Sequence, residues 1–246
     1  IPLAHMQINE NDSNRDGGSD NKSITDVMFG LTQVISRQTL MQFNLGFSST
    51  SGYQNDPYKI VTIVDDLSGL PILPTATDRP YVYESRPDSR SRQTFFWKTV
   101  HHLTEDTINF SYRYYTDDWD VNSHTLDMHY RYELSGDSYL EPHVRFYTQT
   151  AAEFFTHGLT AAELTTARTN NTYASADYRL GEFSSTTLGL KYATPLGKTS
   201  EFSVRGEIIT QANNDVAVPA GYESTGLDLS PDLTAIVLQV GYSFKW

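Results

Sequence analysis

TLMQFNLGFSS, at residues 39–49, is the stretch of sequence that decides the fold class. Met41, Phe43, Leu45 and Phe47 occupy alternate positions, and the residues between them are polar or small. Because a strand turns successive side chains to opposite faces, this period of two predicts a strand with one apolar and one polar face. The segment is also close to the ~10 residues that a tilted membrane-spanning strand requires.

The same alternation recurs in five further segments: Thr107–Thr116, Ser123–Leu134, Tyr139–Thr150, Glu201–Gln211 and Leu233–Trp246. Their apolar positions often end in aromatic residues, as the girdles at the two membrane interfaces do. Their opposite positions are polar and ionic, and we predict that they line an aqueous lumen: Arg113, Asp127, His129, Arg131, Glu133, Glu141, His143, Arg145, Arg205 and Glu207. A soluble β-sandwich or a lipocalin-like barrel would also bury an apolar face, so alternation alone leaves these classes open.

Composition excludes several classes of protein. The chain has 246 residues, with 30 acidic and 18 basic side chains and a formal charge of −12, which argues against a nucleic-acid partner. The absence of cysteine excludes disulfides and thiolate chemistry. No apolar run approaches the ~18 residues of a membrane helix, whereas membrane β-strands never look apolar on average. The length suits a single β-barrel domain over residues 1–246, or the C-terminal portion of one.

The connections between the alternating segments are short and long in turn. The tight links are Ser36–Gln38, Thr104–Asp106, Ser135–Ser138 and Pro195–Ser200. The long ones are Thr50–Ser91, Ala151–Asn171 and Ala212–Asp232. Short periplasmic turns and long extracellular loops alternate in this way in outer-membrane barrels. Compact soluble domains rarely contain repeated structureless loops of such length.

The strand count follows from the end of the chain. If the last strand ends in the periplasm, counting back gives nine strands as far as Asp26–Ser36, and a tenth must lie near Pro2–Asn9. This count requires Tyr173–Leu180 to belong to the long loop or to extend the next strand. We therefore predict an all-β protein, an antiparallel transmembrane β-barrel of about ten strands in the bacterial outer membrane, either complete or part of a larger barrel.

The two ends of the chain carry their own signals. Tyr242, Phe244 and Trp246 alternate and resemble the C-terminal segment that outer-membrane proteins present to the barrel assembly machinery. The alternative is an ordinary amphipathic strand. The first residues, IPLAHMQINEN, have neither the basic nor the apolar region of a signal peptide. We expect either that such a peptide was removed or that the chain starts inside a longer protein.

Four longer stretches resemble landmarks of one protein family. They are NLGFSSTSGYQNDPYK (44–59), YVYESRPDSRSRQ (81–93), SYRYYTDDW (111–119) and LEPHVRFYTQTAAEFF (140–155). The chain resembles, from about Ile24 to Trp246, an uncharacterised family of bacterial outer-membrane β-barrels that is catalogued as a domain of unknown function. The resemblance implies further strands before Ile1 and no established catalytic residues. Its genes often neighbour those of thioredoxin-like and flavin-transferase proteins, which implies an envelope partner with a redox function.

Asp12, Asn14 and Asp16, followed by a glycine, match the opening of a calcium-binding loop. The twelfth position is Ser23 and not the bidentate glutamate of an EF-hand, so a plain surface loop is the alternative. A second acidic cluster with the same two interpretations comprises Asp117, Asp118 and Asp120.

Arg86, Arg90 and Arg92 lie close together in a predicted loop. One interpretation is a basic segment that narrows the lumen and favours anions. The other is ion pairing with Glu84, Asp88 and neighbouring loops.

The leading function is that of a pore or transport protein with a polar, charged lumen for small solutes. The alternative is a structural barrel that holds a periplasmic or surface partner protein. A barrel hydrolase is the third class, but the sequence contains neither a GxSxG elbow nor an HExxH motif, so we expect no enzyme.

Overall fold

The computed structural model describes residues 3–10, 18–72, 80–170, 172–214 and 228–244. The predicted calcium ligands Asp12, Asn14 and Asp16 lie outside these residues, as does Trp246. Within them the chain forms strands and a single α-helix, in the order β1 (Leu3–Glu10), β2 (Gly18–Ser36), β3 (Thr39–Gly52), β4 (Ile60–Val64), β5 (Tyr81–Tyr83), β6 (Ser89–His102), β7 (Thr107–Asp117), β8 (Asn122–Glu133), β9 (Tyr139–Gln149), β10 (Gly158–Thr160), α1 (Ala161–Asn170), β11 (Phe183–Leu196), β12 (Ser200–Asn213) and β13 (Leu233–Phe244).

Ten of the strands form one large antiparallel sheet in the order β1-β2-β3-β6-β7-β8-β9-β11-β12-β13. Neighbours in this sheet follow one another along the chain, apart from the three short strands that are inserted in the long connections. The predicted all-β, antiparallel architecture is therefore confirmed. In the described part of the chain β1 does not pair with β13, so the sheet has two free edges there.

The strand register keeps apolar residues on one face across the sheet. Phe43 lies opposite Trp97, Trp97 opposite Tyr112, Tyr112 opposite Leu126, and Leu126 opposite Phe146. The rings of Phe43 and Trp97 are stacked, with centroids 6.4 Å apart. A slip of one residue would turn every one of these side chains to the other face, so the alternation fixes the pairing.

The apolar face of the large sheet is exposed rather than buried. Leu45 is 47% exposed, Leu188 56%, Ile236 79% and Leu238 74%. Monomeric soluble proteins rarely expose continuous apolar patches beyond a few hundred Å². The sheet therefore needs an apolar environment or a partner along this face.

Two of the long connections, 50–91 and 151–171, contain strands in their described residues, which differs from the structureless loops predicted from sequence. β10 pairs in parallel with β4, and β4 pairs antiparallel with β5, so that segments from two connections build a second, three-stranded sheet. Helix α1 follows β10 directly. Thr160 and Glu163 form a capping box at its start, in which each backbone N–H donates to the other residue's side chain, at 2.8 and 3.2 Å.

Among the residues that the structure describes, no helix is long and apolar enough to cross a membrane.

We call the described parts of residues 53–88, 118–121 and 150–182 the loop cap. Its apolar core consists of buried side chains from two connections, at one end of the large sheet: Trp119, Val121, Ala152, Phe155 and Leu180. The segment Tyr173–Leu180 belongs to this cap and ends in a 3-10 turn at Tyr178–Leu180. It is not a further strand of the large sheet, as the strand count requires.

Candidate functional site

The polar face of the large sheet carries two groups of ionisable residues. The first, which we call the histidine–carboxylate cluster, lies on β8, β9 and β12 and comprises Asp127, His129, Glu141, His143, Arg205 and Glu207. The second is a cavity lined by arginines where this face meets the loop cap. The ten predicted lining residues fall in one or other group, except for Arg131 and Glu133, which pair with each other.

The cluster is built by the strand register. His129 on β8 lies directly opposite His143 on β9, and their rings are stacked with centroids 4.0 Å apart. His143 in turn lies opposite Gly189 on β11, and Gly189 opposite Glu207 on β12. One row of positions thus brings both histidines and a carboxylate together across four strands.

Three carboxylates surround the two imidazoles. The two oxygens of Asp127 lie 3.2 Å from His129 Nε2 and 3.2 Å from His143 Nε2. On the opposite edges of the rings, His129 Nδ1 lies 3.3 Å from Glu141 Oε1, and His143 Nδ1 lies 3.0 Å from Glu207 Oε1. All five side chains are half-buried, so these contacts are only partly screened by water.

Gly189 makes the contact between Glu207 and His143 possible. A Cβ atom at this position would lie 2.9 Å from Glu207 Cγ and 3.3 Å from His143 Cβ. The absence of a side chain on β11 therefore leaves the space in which Glu207 crosses from β12 to β9. A sequence reading that treats glycine in a strand as a weak point would miss this role.

The cluster has an excess of negative charge. Asp127, Glu141 and Glu207 carry three carboxylates, while Arg205 supplies one cation at 3.5 Å from Glu141 and 3.8 Å from Glu207. In addition, His129 Nδ1 is buried and makes no hydrogen bond with good geometry within the described residues. A buried ring nitrogen without such a bond is costly and calls for a structural or functional explanation.

The arginine-lined cavity has a volume of about 490 Å³. Its floor is the polar face of β7, β8 and β9, and its roof is the loop cap; the arginines that line it are Arg86, Arg90, Arg113, Arg145 and Arg179. The volume falls within the range of ordinary small-molecule sites. The sequence predicted two of these residues as lining a lumen.

Three of the five arginines are paired with acids of the cap or of β7. Arg86 donates to Glu84 and Asp177 at 2.9 and 2.8 Å. Arg90 Nε donates to Asp117 at 2.8 Å, and its guanidinium lies 4.1 Å above the ring of Trp119. The third is Arg179, which pairs with Asp177 at 2.6 Å. The ion-pairing interpretation of the sequence therefore applies to Arg86 and Arg90, although both side chains also line the cavity.

Arg113 and Arg145 differ from the other three because neither has an acidic partner among the described residues. Arg145 lies directly opposite Asp127 in the register, but the Asp127 carboxylate turns to the two histidines. Arg113 packs its guanidinium 5.4 Å from the centre of the Phe96 ring. Both side chains are exposed toward the cavity, so their positive charge is available to a solute.

The second acidic cluster of the sequence is used for structure. Asp117 is buried, accepts hydrogen bonds from Arg90 and Tyr115, and accepts the backbone N–H groups of Trp119 and Val121 at 3.0 and 3.1 Å. Asp118 accepts the backbone N–H of Ser91 at 2.9 Å. These bonds use both carboxylate oxygens of Asp117 and one of Asp118 within the loop, which is the behaviour expected of the loop interpretation.

Asp177 is a buried carboxylate that links two segments of the loop cap, because it pairs with both Arg86 and Arg179. It is 1% exposed, and burial alone would raise its pKa. Hydrogen bonds from Arg179 and Arg86 outweigh that burial and lower the pKa of the carboxyl from 3.8 to about 2. The hydrogen bond to Asp177 also raises the pKa of Arg179. Gln149 on β9 fastens this segment to the sheet by donating to the carbonyl groups of Arg179 and Gly181 at 3.1 and 2.7 Å.

The depressed pKa of Asp177 predicts acid sensitivity of the cap. The carboxylate contributes its full stabilisation above the ordinary pKa of 3.8, and that contribution is lost as pH falls toward about 2. The expected loss is about 2 kcal/mol over this interval. Denaturant titrations that follow Trp119 fluorescence, with Trp97 and Trp246 replaced by Phe, would measure it. In Asp177→Asn the cap should be weaker and this pH dependence absent; an unchanged pH profile in that variant would exclude Asp177 as its source.

Sequence reasoning placed the lining residues on one face but did not recognise the histidine–carboxylate cluster. The signal was present as two D/E-x-H units on neighbouring strands, Asp127 with His129 and Glu141 with His143. Residues two apart share a face, and the tight turn between β8 and β9 brings the two units side by side. The contribution of Glu207 depends on strand order and on Gly189, which no local pattern reveals.

Fold and site together define an all-β protein with one large antiparallel sheet, an exposed apolar face, a charged polar face and an ordered loop cap. The chain belongs to the family described as "Protein of unknown function (DUF3570)", whose model matches residues 4–244. The predicted membership of an uncharacterised family is thereby confirmed. A search of curated proteins found no match to the chain.

Proposed function

We propose that this chain forms an outer-membrane β-barrel, or part of one, whose polar face lines a pathway for small solutes. The observation that carries the proposal is that Arg113 and Arg145, which have no acidic partner among the described residues, face a cavity of about 490 Å³ on the polar face of the sheet. The other face of the same sheet is apolar and exposed. Lipid against the apolar face and water against the polar face would satisfy both.

A closed barrel would require additional pairing at both free edges of the sheet. In lipid every backbone N–H and C=O must find a partner within the protein, so neither edge can face the bilayer unpaired. Along β2 the register with β1 covers only Gly18–Thr25, which leaves the following residues of that edge without a neighbour in the described chain. Closure would require strands that pair with these residues and with β13.

The C-terminal strand supports insertion by the barrel assembly machinery. Tyr242 and Phe244 are 63% and 64% exposed and lie on the apolar face of β13. Alternating aromatic residues at the end of the last strand are the feature that predicted this partner from sequence. Outer-membrane lipid is the second partner that this face would contact.

Ion selectivity tests the pore. The wild type should conduct in planar bilayers, and Arg113→Gln combined with Arg145→Gln should shift the reversal potential in a salt gradient toward that of cations. At ~10 Å from the ion path in water each charge changes the local ion concentration about twofold, in opposite directions for cations and anions. Removing both charges should therefore change the cation-to-anion permeability ratio by about tenfold at low salt.

The matched control replaces Arg37 and Lys198 by Gln, which removes two positive charges from the turns at the other end of the strands. It should leave selectivity nearly unchanged. A wild type that inserts correctly but shows no conductance would contradict the pore proposal.

A scaffold for a periplasmic or surface protein, with a redox partner as one case, is the second candidate. The ordered loop cap favours it, because Tyr58 and Leu67 project from the cap with 91% and 89% of their surfaces exposed. Tyrosine is one of the residues enriched among those that contribute most of the binding energy of protein interfaces. Absence of conductance together with a partner that is lost on Tyr58→Ser and Leu67→Ser would favour this function over the pore.

A further inference from the structure

We propose that Asp127, His129 and His143 form a binding site for a divalent transition-metal ion, with Zn²⁺ as the representative ion. One ligand atom from each of the three residues lies within 4.8 Å of the other two. Two imidazoles and one carboxylate are a common donor set for such ions. The inference concerns a bound ion on the polar face and does not depend on whether this face conducts solutes.

The orientation of the imidazoles supports this assignment. Both rings direct Nε2 at the Asp127 carboxylate, so the three donor groups converge on one side. Both rings direct Nδ1 at a different glutamate, Glu141 for His129 and Glu207 for His143. Histidines that bind metals almost always donate their other ring N–H to a carboxylate, a carbonyl or a water, which fixes the tautomer with Nε2 free for the metal.

Charge gives a second argument. Four ring nitrogens of the two histidines face carboxylate oxygens at 3.0 to 3.3 Å. Three carboxylates therefore surround the two imidazoles, and Arg205 is the cation beside two of them. A cation at Nε2 compensates the excess negative charge of Asp127, Glu141 and Glu207 over Arg205.

The site requires a small rearrangement before an ion is bound. The two rings are nearly parallel, with an interplanar angle of 6°, whereas a metal prefers to lie in the plane of each imidazole. Rotation about χ2 of each histidine opens the stack, and this torsion is soft. His129 Nδ1 lies 3.3 Å from Glu141 Oε1 but lacks a well-oriented hydrogen bond, so no such bond holds this ring in its present orientation.

The chemistry of the donors selects the ion. Imidazole nitrogen suits Zn²⁺, Ni²⁺ and Cu²⁺, while Ca²⁺ and Mg²⁺ take oxygen ligands. A purely acidic patch would prefer the second group. The contrast between Zn²⁺ and Ca²⁺ therefore separates this site from nonspecific attraction to carboxylates.

The test is titration of the full chain, folded in detergent and washed with EDTA, with Zn²⁺ in a calorimeter. Loss of a carboxylate that only hydrogen-bonds to a metal ligand typically lowers metal affinity ~10–100-fold. His129→Gln and His143→Gln each remove a ligand, so each should lower the Zn²⁺ affinity by more than this. Glu207→Gln should lower it within that range. The matched control is His124→Gln, because His124 is on the same strand but on the opposite face, where it contacts Tyr112 and Tyr114.

A second readout identifies the ligands directly. Electron paramagnetic resonance of bound Cu²⁺ should show coupling to two imidazole nitrogens in the wild type and in His124→Gln, and to one in each cluster variant. If a histidine variant does not fold, Asp127→Asn in the same titration takes its place. Zn²⁺ affinity equal to Ca²⁺ affinity, or equal affinity in His124→Gln and in the cluster variants, would overturn the proposal.

Discussion

Leu45→Arg is expected to lower the free energy of unfolding of the membrane-inserted protein by about 2–4 kcal/mol. Leu45 lies in the middle of β3 and is 47% exposed on the apolar face. If this face contacts lipid, the guanidinium would lie close to the centre of the bilayer, where a charge is most costly. Denaturant titration of the protein in lipid vesicles would measure the change.

Asn44→Arg is the matched control, since Asn44 precedes Leu45 and points to the polar face beside Gln42, which donates a hydrogen bond to it. The added charge would meet water there, so its cost should be well below that of Leu45→Arg. Equal losses in the two variants would contradict the assignment of the apolar face to lipid. The comparison is independent of conductance, so it separates membrane placement from the pore.

Asp177→Ala is expected to destabilise the loop cap by about 3 kcal/mol, because it removes a buried carboxylate that pairs with Arg86 and Arg179. Asp177 is 1% exposed and accepts hydrogen bonds from Arg86 and Arg179. Glu84 remains beside Arg86, and Arg179 is more than half exposed, which keeps the loss at the lower end of such cases. Hydrogen exchange of the Ser85 and Ala174 amides, which bond each other's carbonyls, would report it.

The control for the cap is Asp65→Asn. The Asp65 carboxylate also accepts several hydrogen bonds, from Leu67 and Ser68, but it lies in an exposed turn and pairs with no cation in the described chain. Its loss should leave exchange at Ser85 and Ala174 unchanged. Faster exchange throughout the large sheet in Asp177→Ala would show that the cap is not a separate unit of stability.

Most strands of the large sheet were predictable because apolar and polar residues alternate within their own sequences. Alternation from Met41 to Phe47 depends on neighbours two residues apart, and the tight turns fix which strand comes next. β6 shows the limit of this reasoning, since it begins at Ser89, within a segment that was predicted to be loop. Its first residues, SRSRQ, alternate between serine and arginine and carry no apolar signal.

The loop cap and the histidine–carboxylate cluster were not predictable to the same degree. Arg86 and Asp177 are 91 residues apart in sequence, and His143 and Glu207 are 64 apart. Such contacts depend on strand order and loop packing, and one sequence gives no measure of either. The exception is the capping box of Thr160 and Glu163, a local pattern that would have revealed helix α1.

Three contacts pass over β11 and tie β9 to β12: His143 with Glu207 at 3.0 Å, Glu141 with Arg205 at 3.5 Å, and Tyr139 with Glu201 at 3.4 Å. In a flat sheet strands two places apart are separated by roughly 10 Å. Contacts of this kind lie on the polar face and draw β9 and β12 toward each other. They therefore favour a curved sheet whose polar face is concave. Side chains on the convex side then spread apart, which increases the area that their surroundings must cover. The three contacts between β9 and β12 would therefore help to set the radius of curvature of the sheet.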